Sequence, residues 1–154
     1  MILKKGTIVD STIISALSST KNKEKQRDPD AHSTKKGTTW YFGYKAHVGV
    51  DKDSGLLHSV EVIPGNTADV TMISELLHRK EKTVHGDSGY IGAEKRKEAV
   101  VKNEDGKKIR YLINRKSSQY ESKPNGSKAQ IKRREHEKSS VKAKVEHVLA
   151  VLKG

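Results

Sequence analysis

From Tyr41 to Val50 the sequence alternates without interruption. Phe42, Tyr44, Ala46, Val48 and Val50 fall on one side of an extended chain, and Tyr41, Gly43, Lys45, His47 and Gly49 on the other. A period of two sustained this long dictates a β-strand, because a helix would scatter those side chains around its circumference. Asp51-Lys52-Asp53-Ser54-Gly55 then supplies turn residues, and Leu57 to Ile63 returns as a second strand ended by Pro64-Gly65-Asn66. The chain must therefore build around a sheet containing an antiparallel hairpin.

The flanking segments fill in an alternating order. Thr7 to Ile14 is a β-branched run, a strand, with the carboxylate of Asp10 in its middle. Residues 18–39 turn to Ser, Thr, Lys, Asn, Asp and Pro and read as a long loop. Asp69 can cap a helix whose Val70, Ile73, Leu76 and Leu77 share a face. Thr83-Val84-His85 is a short strand running into Gly86-Asp87-Ser88-Gly89-Tyr90, where a carboxylate stands at a strand end between glycines that let a ligand approach. Ala93 to Lys102 reads as a helix, Arg110 to Ile113 as a strand, and Lys116 to Ser127 as a loop. In the last segment Val141, Val145, Val148, Leu149 and Leu152 form one stripe of a helix. On the same wheel Ser139, Lys142, Glu146 and Lys153 lie within an arc of about 60° beside that stripe. Strand, hairpin, helix, strand, helix, strand, helix is the plan of an α/β, ribonuclease-H-like mixed sheet flanked by helices. A length of 154 residues suits one such domain, spanning 1–154 with the 18–39 loop inside it.

Composition narrows the function. Lys and Arg number 31 against 19 Asp and Glu, leaving +12 and a pI near 9.8, so a polyanionic partner is expected. Residues 101–144 hold 14 basic and 5 acidic side chains, an excess of +9 that concentrates the positive field there. The absence of cysteine excludes disulfides, thiolate zinc sites and cysteine nucleophiles, so any metal must sit on oxygen or imidazole. No apolar run reaches the roughly 18 residues of a membrane helix, and the first twenty residues lack signal-peptide order, which points to a cytoplasmic protein without a membrane partner.

Four blocks in series carry a specific resemblance: Gly6-Thr7-Ile8-Val9-Asp10-Ser11-Thr12-Ile13-Ile14, Trp40-Tyr41-Phe42-Gly43-Tyr44-Lys45-Ala46-His47, Gly86-Asp87-Ser88-Gly89-Tyr90 and Val145-Glu146-His147. Together they resemble the DDE transposases of bacterial insertion sequences, specifically the insertion-sequence five group, over nearly the whole chain. The resemblance implies that Asp10, Asp87 and Glu146 are both the catalytic residues and the metal ligands. It also implies a helix signature of tyrosine, arginine, glutamate and lysine. At those spacings this chain has Ser139, Lys142, Glu146 and Lys153. Lysine in place of arginine keeps the charge and loses the planar fork that grips phosphate in two bonds. Lys142, Lys153, Lys132, Arg133 and Arg134 are the expected DNA contacts.

The implied chemistry suits these residue types. Phosphodiester cleavage needs an activated water and a stabilised leaving oxygen, which two Mg²⁺ (or Mn²⁺) ions can supply. Magnesium takes hard oxygen ligands and keeps some of its waters, so three carboxylates suffice when phosphate completes the shell. The DNA partners implied are terminal inverted repeats and target DNA, with a homodimer on DNA and nucleoid association following from them. Among competing groups, Asp51 and Asp53 belong to the hairpin turn and Asp69 to a helix cap; His47, His85 and His147 read as packed or surface groups, and Trp40 and Tyr41 as core or loop anchors. The core is expected to be cut at both ends relative to such enzymes, which sets an inactive, nonspecifically DNA-binding remnant beside the active transposase as the alternative.

Overall fold

The computed structural model describes residues 5–21 and 23–154. Residues 1–4, at the start of the expected 1–154 domain, and residue 22, within the expected 18–39 loop, lie outside the described residues. Six strands form one sheet: β1 (Gly6–Ser15), β2 (His32–Lys36), β3 (Thr39–Asp51), β4 (Leu57–Pro64), β5 (Thr83–Gly86) and β6 (Arg110–Ile113). Two helices follow, α1 (Asn125–Val141) and α2 (Ala143–Lys153). The strand order is β2-β3-β1-β5-β6, with β4 also on β3. β1 runs antiparallel to β3 and parallel to β5, and β5 runs parallel to β6. A mixed sheet of this order with helices against it is compatible with a ribonuclease-H-like fold.

Long β3 organises the sheet because it has partners for its whole length. On one side β1 pairs from Thr7↔Asp51 to Ser15↔Gly43. On the other, β4 covers Tyr44 to Val50 while β2 covers Thr39 to Gly43. The changeover falls at Gly43, whose φ is +156° and where an added Cβ would lie 2.1 Å from the Ile14 carbonyl oxygen, so only glycine fits.

Adjacent residues of β1 enter opposite faces, and each face has its own core. Ile8 packs with Val48, Val50 and Val145 of α2, supported by Val141, Val148 and Leu149. Val9 packs with Ile73, Leu76, Val84, Tyr90 and Ile109 on the other face. β3 is accordingly buried on both faces, at Val48 and Val50 on one and at His47 and Gly49 on the other. Toward the start of β1, fully buried Glu81 accepts from the Thr7 hydroxyl (3.1 Å) and the His78 N–H (2.7 Å).

Several expectations need correction. The 18–39 loop contains β2, which has little apolar content and forms because β3 offers it an edge and Gly37 (φ +64°) allows the tight return. Asp69 does not cap an α-helix: Asp69–Leu76 is a 3₁₀ segment after Ala68, with no side-chain cap, although Ile73 and Leu76 are buried as their spacing predicts. The helix expected over Ala93 to Lys102 shrinks to a 3₁₀ turn at Ala93–Lys95; beyond it Val101 accepts from the Ile109 N–H and Lys102 bridges Lys108, drawing the chain into an extended return. The loop before the last helix ends at Pro124, not Ser127, and the last helical segment is interrupted at Lys142, which separates α1 from α2. Trp40 is no anchor, standing 66% exposed.

Candidate active site

Asp10 owes its place to β1. Ile8 pairs with His85 in the parallel ladder between β1 and β5, so two residues further along each chain Asp10 and Asp87 emerge side by side where β5 ends. The Asp10 side chain accepts the Ser11 backbone N–H at 2.8 Å. Burial pushes its carboxyl above the usual carboxylate range, and the neighbouring Asp87 pushes the same way, against the N–H of Ser11 and the charges of Lys142 and Lys36. Asp87 accepts the Gly89 N–H at 2.9 Å, capping the turn Ser88–Tyr90. An added Cβ at Gly89 would meet carboxylate oxygens of both Asp69 and Asp87 at 3.0 Å, so its bareness keeps room between them.

Glu146 comes from the opposite wall. Val145, fully buried against β1 and β3, seats α2, and Lys144 donates to the carbonyl oxygens of Lys52 (2.9 Å) and Asp53 (2.7 Å), tying the helix start to the β3–β4 turn. The exposed Glu146 then lines a cavity of about 840 Å³ together with Asp10 and Asp87. Lys35, Lys36, Lys45, Lys116 and Lys153 also line it, giving an acidic floor with a basic rim. The three carboxylates are hard oxygen donors of the kind a divalent magnesium ion takes, and the mutual repulsion of Asp10 and Asp87 is what a cation would relieve. Among the described residues no three such side chains already converge on one point, so holding an ion requires them to draw together.

The other expected site residues divide. Lys153 lines the cavity, and Lys142 stands close enough to lower the Asp10 carboxyl. Ser139 instead accepts from the Asn114 amide at 3.2 Å, so the four signature positions do not share one face across the interruption at Lys142. Lys132, Arg133 and Arg134 are exposed on α1 outside the cavity, and Arg133 pairs with Glu137 at 3.3 Å. His47 and His85 are buried, and His147 is exposed.

Asp69 is the residue that sequence reasoning missed. It lines the cavity, accepts from Lys45 Nζ at 2.9 Å and the Ser11 hydroxyl at 3.4 Å, and lies 3.9 Å from His47 Nε2. A cap and a long-range ion-pair partner look alike in a local window; the only signal was Lys45, a charge on the β3 face that otherwise turned inward.

The profile of the family described as Transposase DDE domain matches residues 3–154. The chain belongs to the DDE transposases. No solved structure matches it. As a DDE transposase domain, it has a general function in DNA transposition and DNA as its implied partner, and none of its described helices is long and apolar enough to cross a membrane.

Proposed function

We propose that this transposase domain cuts and rejoins DNA strands with a divalent-metal site formed by Asp10, Asp87 and Glu146. The observation that carries the reading is the single cavity those three carboxylates share, in a chain of a family whose domains generally use divalent metals. Mg²⁺ or Mn²⁺ bound there, two ions in all, would polarise a phosphodiester and lower the pKa of a bound water. Asp10 and Asp87 would hold the ions from the sheet side, and Glu146 would complete their ligand set from α2. Lys153 and Lys142 steady the flanking phosphates, as point charges rather than forks. Lys132, Arg133 and Arg134 contact the backbone further away and add affinity without reading bases.

Within the family, we assign the chain to the insertion-sequence five group, on the resemblance of its four sequence blocks. Its DNA is then the terminal inverted repeats and a target, handled by a pair of copies in the cytoplasm at the nucleoid. The 1–154 region acts as one catalytic domain. The same site would serve hydrolysis, with water as nucleophile, and strand transfer, with a 3′-hydroxyl in its place.

Nicking of a supercoiled plasmid by the purified chain tests this. With Mg²⁺ or Mn²⁺ the chain converts plasmid to the open circle, and EDTA or Asp87→Asn abolishes the conversion. Binding without nicking, unchanged by Asp87→Asn, would instead identify a remnant that retains its charge and lacks its chemistry.

A further inference from the structure

The β2–β3 ribbon has no role in holding the carboxylates, yet it borders their cavity. The ladders of β3 with β1 and β4 stop at Gly43 and Tyr44, so Thr39 to Phe42 run on beside β2 as a two-stranded ribbon, joined to the end of β1 only by the Ala16 N–H that the Phe42 carbonyl accepts (2.9 Å). Thr34, Lys35, Lys36 and Gly37 of that ribbon line the cavity. Directly opposite Lys35 in the register stands Trp40, the only tryptophan of the chain and 66% exposed. Lys35 Nζ lies over the indole, 5.8 Å from its centroid, and the Arg27 guanidinium lies over Phe42 at the same distance. An exposed tryptophan alone signifies little. Two aromatic rings accompanied by cations, on a ribbon that forms one wall of a cleft lined by both carboxylates and lysines, are the chemistry with which proteins hold single-stranded nucleic acid: rings for base faces, cations for phosphates.

We propose that Trp40 is a stacking platform for an unpaired base of the DNA strand entering the cavity, with Lys35 and Lys36 taking the adjacent phosphates. This rests on the reading that DNA reaches the three carboxylates. Residues opposed across an antiparallel pair have Cβ atoms about 5 Å apart, so a base lying on the indole brings its phosphate within the reach of Lys35. The base must be unpaired, because within a duplex both of its faces are covered by its neighbours; a strand end or an extruded nucleotide offers a free face. Gly43 makes room for the point at which β3 changes partner from β4 to β2. The platform therefore selects DNA with a frayed or single-stranded end.

The single tryptophan makes the test direct. The emission of the full chain is followed during titration with a short single strand, a duplex bearing a 3′ overhang and a blunt duplex, while the anisotropy of end-labelled copies reports binding separately. The single strand and the overhang should quench emission by half or more, and the blunt duplex should quench little. Trp40→Ala should weaken single-strand binding by about 10- to 100-fold, the effect of losing one stacked base, with Trp40→Phe recovering part of it and blunt-duplex binding changing less than about threefold. Saturating anisotropy with unchanged emission, or Trp40→Ala binding the single strand as tightly as the parent, overturns the platform and leaves the proposed function standing. Failure of the parent to bind any of the three overturns both.

Discussion

Two carboxylates show how environment assigns opposite roles to one functional group. Asp10 is held among neighbours that disfavour its charge: burial first, then Asp87. Glu135 is itself buried, at 8% exposure, and burial alone would raise it. Instead it accepts from Lys138 Nζ (2.9 Å), the Arg115 N–H (2.8 Å) and the Asn114 amide (3.0 Å), which together leave its carboxyl below the usual range. Its ionised form thus fastens α1 to the end of β6. A depressed carboxyl contributes stability above its unfolded pKa and loses it as pH falls through the folded value. Glu135→Gln should lower stability at pH 7 by about 2 kcal/mol, the scale of charge-assisted hydrogen bonds to a buried group, and should flatten the loss below about pH 4.5. Urea denaturation at a series of pH values measures both.

At the scale of elements, the helix that brings Glu146 is seated by an apolar face centred on Val145. Val145 is fully buried among Ile8, Val48 and Val50, whereas Glu146 is exposed on the cavity side. Removing two methyl groups there should cost about 2 kcal/mol by transfer and cavity terms together. Val145→Ala is therefore expected to lower the denaturation midpoint and, by loosening α2 over the sheet, to reduce plasmid nicking by more than it reduces DNA binding. Equal losses in a nicking assay and a gel shift would show that α2 only completes the fold. The strands behave differently from α2. β2 carries almost no buried side chain, and its existence depends on the backbone edge that β3 presents.

Across the whole molecule, buried histidine and surface charge set the response to solution conditions. His85 of β5 is 5% exposed with neither ring nitrogen hydrogen bonded, and burial, then Lys52 and Arg110, depress it to about 4. The fold keeps it neutral while the unfolded chain protonates near pH 6.5, so stability should fall as pH drops from about 6.5 to about 4. This window lies above that of Glu135, and thermal melts of His85→Gln, which takes no proton, should lack it. The +12 charge should make DNA binding steeply salt-dependent. Replacing Lys132, Arg133 and Arg134 with alanine should make the plot of log affinity against log salt shallower by about 2 to 3, at roughly 0.9 per lost phosphate contact. An unchanged slope would place the DNA elsewhere.

The sequence by itself determined five of the six strands. β1, β3, β4, β5 and β6 all lie where alternation, β-branching and turn residues put them, because those signals are local. It also determined the core stripe of α2 through Val145, Val148 and Leu149. The tertiary structure alone decided what depends on a distant partner: β2 needs the free edge of β3, and Asp69 needs Lys45 to become part of the cavity wall rather than a cap. It likewise decided that the chain at Val101 and Lys102 is extended, since Val101 hydrogen-bonds across to Ile109 in place of its own helical turn. The cavity itself belongs to this second class. Asp10, Asp87 and Glu146 come from a strand, the turn after another strand and a helix far apart in the chain, and only the parallel pairing of β1 with β5 and the packing of α2 bring them to one space.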